Sequence, residues 1–271
     1  MPLAVCPTPI GNLEDVTLRV LRELAEVDVV LCEDTRHSKG LLDRHGLQAK
    51  LLSYHRHNEA ARTAELLPRL QAGERIALVS DAGLPGVNDP GARLILAALQ
   101  AGVPVTVLPG PSAVETALVA SGLAGERFQF LGYLPRGAKG LGAVWEELAS
   151  SPHPAVAFES PKRLPATLRS LADALPDRPV AVCRELTKRF EEVVRGPAHE
   201  VAARFADAPK GEITLVLGGT EPVEGASESE AVAAVGELVA AGVPRRQAAD
   251  VVARLSRVSR NTLYAESLKS R

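Results

Sequence analysis

Aromatic side chains are scarce in this 271-residue chain: one Trp, three Tyr and five Phe. Cysteine is scarcer still. Cys6, Cys32 and Cys183 are far apart, each inside an apolar run, which excludes a disulfide framework and gives a zinc site nothing to build on. They read as buried free thiols of a reduced cytoplasm. No apolar run approaches the length of a membrane span. The opening residues enter a strand pattern directly, without the charged leader of a signal peptide, so secretion is not expected. Two glycine motifs are also missing. Without G-x-G-x-x-G after the first strand, and without G-x-x-x-x-G-K-[ST], the usual dinucleotide and P-loop readings lose their main support.

What is present is a loop. Residues 80–91 read Ser-Asp-Ala-Gly-Leu-Pro-Gly-Val-Asn-Asp-Pro-Gly and follow the apolar strand pattern 75–79 without a break. Such a segment continues neither strand nor helix and must turn through positive φ at some glycines. Asp89-Pro90 then precedes a helical pattern, with Asp89 expected as N-cap and Pro90 at the first helical position. Two further Gly/Pro loops, 7–12 and 109–113, close other strand patterns at their carboxyl ends, where open α/β sheets bind ligands.

Strand and helix patterns alternate through residues 1–122, which predicts a mainly parallel sheet covered on both faces. Residues 123–221 form a second α/β domain. There, strand patterns at 180–184 and 191–195 adjoin without a helix between them, so its sheet is antiparallel or mixed. Residues 136–140 are expected as a mobile loop before a helix near 144–149. A polar linker at 222–229 leads to a small helical module, similar to a helix-turn-helix, that completes 222–271. From Arg245 onward seven basic residues, including Arg257, Lys269 and Arg271, face only Asp250 and Glu266, although the whole chain carries −2. A basic tail on an acidic body suits contact with a polyanion; a solvated helix face explains it equally well.

The ordered motifs Thr8-Pro9-Ile10-Gly11-Asn12-Leu13, Cys32-Glu33-Asp34-Thr35-Arg36, Ser80-Asp81-Ala82-Gly83-Leu84-Pro85 with Asp89-Pro90-Gly91, Pro109-Gly110-Pro111-Ser112-Ala113 and Glu185-Leu186-Thr187-Lys188 resemble the tetrapyrrole methylase superfamily. Within it they are similar to the branch acting on small-subunit ribosomal RNA. The resemblance runs over nearly the whole chain and implies two α/β domains with an S-adenosylmethionine cleft between them. It also implies a cytoplasmic homodimer, with no membrane partner, that methylates the 2′-oxygen of a cytidine ribose in the decoding region of the rRNA, within the 30S subunit. A tetrapyrrole or other small acceptor is the alternative.

On the family pattern Pro9, Ile10, Asp81, Ala82, Gly83, Ser112 and Ala113 surround the cofactor, with Glu212 and Thr214 added from the second domain. For a ribose hydroxyl, a poor nucleophile, Asp34 and Glu33 are the candidate bases, and Arg36 or Lys188 the candidate phosphate holders. A helix cap with an ion pair explains Asp34-Thr35-Arg36 as well, and a surface turn explains Lys188. With so few aromatics, RNA recognition is expected to rest on phosphate contacts, shape and the 2′-hydroxyl. His55 and His57 lack a third ligand nearby, and Asn58 as an N-cap explains their segment more simply. Tyr264 is expected to pack into the helical module.

Overall fold

Aliphatic strands with no polar face must be covered on both sides, and the first sheet follows from that requirement. The computed structural model describes residues 2–220, 227–256 and 258–269. Strands Leu3–Cys6 (β1), Val29–Cys32 (β2), Leu51–Ser53 (β3), Ile76–Val79 (β4) and Val105–Val107 (β5) form a parallel sheet in the order β3-β2-β4-β1-β5. Every residue of β1, β2 and β4 is buried. The two-residue period of a strand sorts them. Leu3, Val29, Leu31, Ile76 and Leu78 share one core layer, and Ala4, Cys6, Val30, Cys32, Ala77 and Val79 the other.

Helices Leu18–Glu26 (α1) and Thr35–Arg44 (α2) supply side chains to the second layer, while Glu59–Gln71 (α3) and Ala92–Gln100 (α4) supply the first. Burial pushes the Cys6 thiol up to about 12, so it stays protonated and inert at neutral pH.

Helix Ala113–Ser121 (α5) leaves β5 and packs on a second sheet. That sheet comprises Gln129–Tyr133 (β6), Ala155–Glu159 (β7), Pro179–Arg184 (β8), Glu192–Pro197 (β9) and Ile213–Leu217 (β10), in the order β6-β7-β10-β8-β9. Only β6 and β7 run parallel; the other pairs are antiparallel. Val114, Ala117 and Leu118 of α5 meet Val156, Ala181, Cys183 and Val216 of this sheet, and Ile10 joins them from the loop after β1. Hence α5 is the apolar joint that holds the two sheets in one unit, Met1–Gly219. The opposite face of the second sheet is covered by Ala138–Ala149 (α6), Leu164–Ala174 (α7) and Ala198–Arg204 (α8).

Expectations at three element boundaries are corrected. Helix α6 begins at Ala138, so most of 136–140 is helical rather than a free loop. Leu141, Trp145 and Leu148 bury one face of α6, and Gly140 lets it approach β6, since a Cβ there would lie 2.7 Å from that of Pro135. The polar linker ends earlier than 229, because Ser227 and Glu230 form a reciprocal capping box that starts the next helix at Glu228. Helix α4 begins at Ala92 with Gly91 at its cap, φ +134°, so Asp89 is not the N-cap. A Cβ on Gly91 would lie 2.7 Å from Leu78 Cδ2, and this close packing on β4 brings the chain into the helix after the proline.

Thr220–Arg271 form a separate unit. Helices Glu228–Ala240 (α9), Arg245–Leu255 (α10) and Arg260–Lys269 (α11) enclose a core of Ala231, Val235, Ala248, Ala249, Val252 and Leu263. Arg245 donates to the Ser267 carbonyl and Arg260 pairs with Asp250 at 2.8 Å, so two of the tail's cations are held within the module. Arg246 and Arg254 are exposed; Arg257, Arg271 and the Lys269 side chain lie outside the described residues. Tyr264 is exposed rather than packed, because its neighbour Leu263 takes the inward position of α11. Among the described residues no helix is long and apolar enough to cross a membrane.

Candidate active site

The loops after β1, β4 and β5 meet. Thr8 and Gly83 exchange backbone hydrogen bonds of 2.9 Å in both directions, an isolated bridge outside the sheet. Thr8 Oγ1 donates to the Ser80 carbonyl at 2.9 Å, and Ser80 Oγ to the Gly83 carbonyl at 2.7 Å, so both buried hydroxyls are satisfied inside the junction. Gly83 sits at φ +78°, which a side chain tolerates poorly. Gly110 approaches Pro7 so closely that a Cβ would lie 2.5 Å from Pro7 Cγ.

From the other lobe the turn 185–188 packs on the same junction. The Gly11 backbone lies against Leu186, Thr187 and Lys188, and Asn12 donates its N–H to Thr187 Oγ1 at 3.0 Å. Glu185 and Thr187 both occupy the left-handed region, φ +53° and +65°, unusual strain for residues with a Cβ. Lys188 Nζ is held between Glu185 at 3.0 Å and Glu212 at 2.9 Å. Its guests are therefore already carboxylates of its own chain.

Between the lobes lies a cavity of about 1270 Å³. Ile10, Glu33, Asp81, Ala82, Gly83, Ser112, Ala113, Glu212 and Thr214 line it. Pro9 is buried outside the lining, and Asp34, Arg36 and Lys188 also stand outside it. Asp34 is the N-cap of α2: its Oδ1 accepts from Arg36 N at 2.8 Å and Nε at 3.2 Å, its Oδ2 from Arg36 Nη2 at 2.9 Å. These hydrogen bonds hold the Asp34 carboxyl down at about 2, far from the range of an effective base. Through its own N–H, Asp34 also reaches Asp81 Oδ1 at 3.2 Å.

Two features of the lining are absent from the sequence reading. Asp89, freed from the capping role, faces the cavity, and burial together with the neighbouring Glu33 and Asp81 carboxylates pushes its carboxyl up to about 6. Glu159, fully buried at the end of β7, accepts from Ser160 N and Thr167 Oγ1, each at 2.6 Å, and from Arg163 Nη2 at 3.1 Å. Arg163 also donates to the carbonyls of Leu134 and Pro135, tying the exit of β6 to the cavity wall. The signal was there: Glu159-Ser160-Pro161-Lys162-Arg163 is a polar group crowded at a strand's end, like those of the first domain.

The lining as a whole has one sign of charge. Among the described residues it contains six acidic side chains, Glu33, Asp81, Asp89, Glu115, Glu159 and Glu212, and no Lys, Arg or His, with Glu159 and Glu212 offset by Arg163 and Lys188 from outside the lining. Such a site attracts a cation and repels a phosphate.

The tetrapyrrole (corrin/porphyrin) methylase family matches residues 2–202. A "ribosomal RNA small subunit methyltransferase I" of Micromonospora olivasterospora is 43% identical over 97% of this chain and 85% of its own. The chain belongs to the tetrapyrrole methylase family, among the ribosomal RNA small subunit methyltransferase I proteins. The relative of the same description from Thermotoga maritima is 43% identical over 81% of this chain and 99% of its own, so about a fifth of this sequence lies outside that match. Among solved structures, a Thermus thermophilus uroporphyrin-III C-methyltransferase in complex with S-adenyl homocysteine shares the fold at TM-score 0.57 and 22% identity, covering 80% of this chain and 96% of its own.

Proposed function

We propose that this protein transfers a methyl group from S-adenosylmethionine to the 2′-oxygen of a cytidine ribose in the decoding region of small-subunit ribosomal RNA. The observation that carries the reading is the sign of the cavity. A cleft lined by carboxylates and, among the described residues, by no Lys, Arg or His suits a donor bearing a sulfonium and an ammonium, and disfavours NAD or ATP. Its glycine-bearing wall suits the same ligand, since Gly83 turns at φ +78° and Gly110 packs closely on Pro7, so both present backbone rather than side chains at the cavity. Bound there, S-adenosylmethionine supplies an electrophilic methyl group whose leaving sulfur needs no proton.

Ile10, Asp81, Ala82, Gly83, Ser112 and Ala113 hold the donor from the first lobe, with Pro9 buried behind them. Glu212 and Thr214 hold it from the second. Lys188 acts at one remove, fixing Glu212 through the ion pair, and Arg36 meets phosphate at the rim. The remaining task is to remove the 2′-hydroxyl proton as the oxygen bonds carbon. Asp89 takes it, with Glu33 and Asp81 sustaining its basicity.

Asp34→Asn is therefore expected to change the single-turnover methylation rate by no more than a few-fold, because the carboxylate it removes is committed to Arg36. A loss of about 100-fold, the scale of general-base catalysis, would move the base from Asp89 to Asp34.

The protein works in the cytoplasm on the 30S subunit as a homodimer. Leu96 and Leu99, more than half exposed on α4, supply apolar surface to a second copy. The basic tail adds phosphate contacts. Truncation after Gly219 is expected to weaken RNA binding and flatten its dependence on salt, while calorimetry gives an unchanged S-adenosylmethionine affinity. Full activity of the truncated chain at all salt concentrations would exclude the tail from the RNA interface.

The function itself is tested by incubating the protein with methyl-labelled S-adenosylmethionine and either 30S particles from cells lacking the protein or a porphyrinogen. Label is expected in the rRNA alone. Label in the porphyrinogen alone would replace this reading with the small-molecule one.

A further inference from the structure

Aromatic side chains, so scarce along the chain, are concentrated in space. Four of the nine, Phe128, Phe130, Tyr133 and Phe158, line the one cavity described above. Phe158 is the hub: Phe130 meets it edge-on at 5.2 Å between centroids and Tyr133 at 5.5 Å, both favourable angles for rings. Phe130 and Phe158 are partly buried, whereas Tyr133 is 61% and Phe128 39% exposed. Tyr133 is thus an exposed ring packed against a partly buried one.

The backbone is built to aim Tyr133. The register of β6 on β7 shifts between Phe130 and Tyr133, and within that irregularity Gly132 adopts φ +66°. Irregularities of this kind re-aim side chains next to active sites. Gly132 is pressed on the loop after β4, where a Cβ would lie 3.0 Å from Asn88 Oδ1, and Asn88 is itself left-handed at φ +62°. The close contact between Gly132 and Asn88 sets Tyr133 on the same cavity wall as Asp89. Tyr133 lines the cavity together with Asp89 and Glu212, and its hydroxyl is raised in pKa by burial first and then by those two carboxylates.

The charge pattern says what part of an RNA can enter. Among the described residues the lining holds no Lys, Arg or His, so the phosphates stay outside. At the rim Arg56, exposed and donating to the Asn88 carbonyl, acts electrostatically on both Asp89 and Tyr133. Only the uncharged ribose and base of a nucleotide suit the interior.

We propose that Tyr133, backed by Phe158 and flanked by Phe128, is the platform of a nucleobase subsite: the target nucleotide enters unpaired, its base stacked on Tyr133, its ribose at Asp89 and its phosphate at Arg56. The subsite deepens the function proposed above and rests on it. It adds one stacking contact to the phosphate contacts, shape and 2′-hydroxyl on which RNA recognition is expected to rest.

The test compares wild type with Tyr133→Phe, Tyr133→Leu and Tyr133→Ala in steady-state methylation of 30S particles, with S-adenosylmethionine affinity measured by calorimetry. Stacking is sequence-tolerant and needs only the ring, so Phe keeps kcat/KM near wild type while Leu and Ala lower it about 10-fold or more. Calorimetric affinity for the donor stays the same in all four proteins. Equal activity of the Phe and Leu variants, or of Ala and wild type, would overturn the subsite. So would a parallel loss of donor affinity in Tyr133→Ala, which would make the ring part of the adenine site. If wild type binds the donor but labels no rRNA, the underlying function fails and takes the subsite with it; if wild type labels rRNA and the variants do likewise, only the subsite fails.

Discussion

Asp89→Asn is expected to lower the single-turnover rate of methyl transfer by about 100-fold, the lower end of what a positioned base contributes. The affinity for S-adenosylmethionine changes little. The pH profile distinguishes this loss from a structural one. A base must be ionised to act, and the Asp89 carboxyl is raised to about 6, so the wild-type rate climbs with pH up to that region and then levels. The Asn variant lacks this limb. Stability moves the other way. The folded protein raises this carboxyl from 3.8 to about 6, so stability falls as pH rises from about 4 through about 6 and the loss then levels off. At pH 7 the Asn variant therefore melts at a higher temperature than wild type, and the advantage disappears when both are melted near pH 4. A variant that keeps the rate, or that loses both rate and stability, contradicts the assignment.

Gly110→Ala is expected to weaken donor binding about 10-fold or more by calorimetry, because overpacking costs about 1–3 kcal/mol where neighbours cannot yield. The added methyl would lie 2.5 Å from Pro7 Cγ and 3.2 Å from Pro7 Cβ, well inside ordinary contact distance. A proline ring is part of its backbone, so the loops after β1 and β5 must separate to make room. The control is Gly40→Ala. Gly40 lies inside α2 with nothing within 4 Å of a built Cβ, so that change leaves donor affinity alone and stabilises the helix by roughly 1 kcal/mol. Equal behaviour of the two alanine variants would mean that the loop junction does not shape the donor site.

Period and punctuation in the chain were enough for the two sheets. Buried strands such as Leu3–Cys6 and Ile76–Val79 have no polar residue to confuse the pattern, and the breaks at Gly/Pro loops fall where helices begin. The direction of the second sheet was legible because β8 and β9 adjoin with no helix between them. Asp89 was not, since Asp-Pro before an apolar helix has the local signature of a cap. Its true position depends on Gly91 packing against Leu78, a contact between elements that local pattern does not encode. The aromatic cluster escaped for the same reason: Phe128 and Phe158 are thirty residues apart, and composition counts rings without saying where they gather. Local chemistry did foretell the Asp34–Arg36 pair, and the structure adds its three hydrogen bonds.

The central claim is that the carboxylate-lined cleft delivers a methyl group to a ribose oxygen of rRNA, and alkaline hydrolysis tests it most directly. A methylated 2′-oxygen cannot attack the adjoining phosphate, so the linkage after it survives alkali. Labelled rRNA from the 30S reaction is predicted to yield its radioactivity in one alkali-resistant dinucleotide whose first nucleoside is cytidine. Radioactivity released entirely in mononucleotides would place the methyl group on a base and contradict the account.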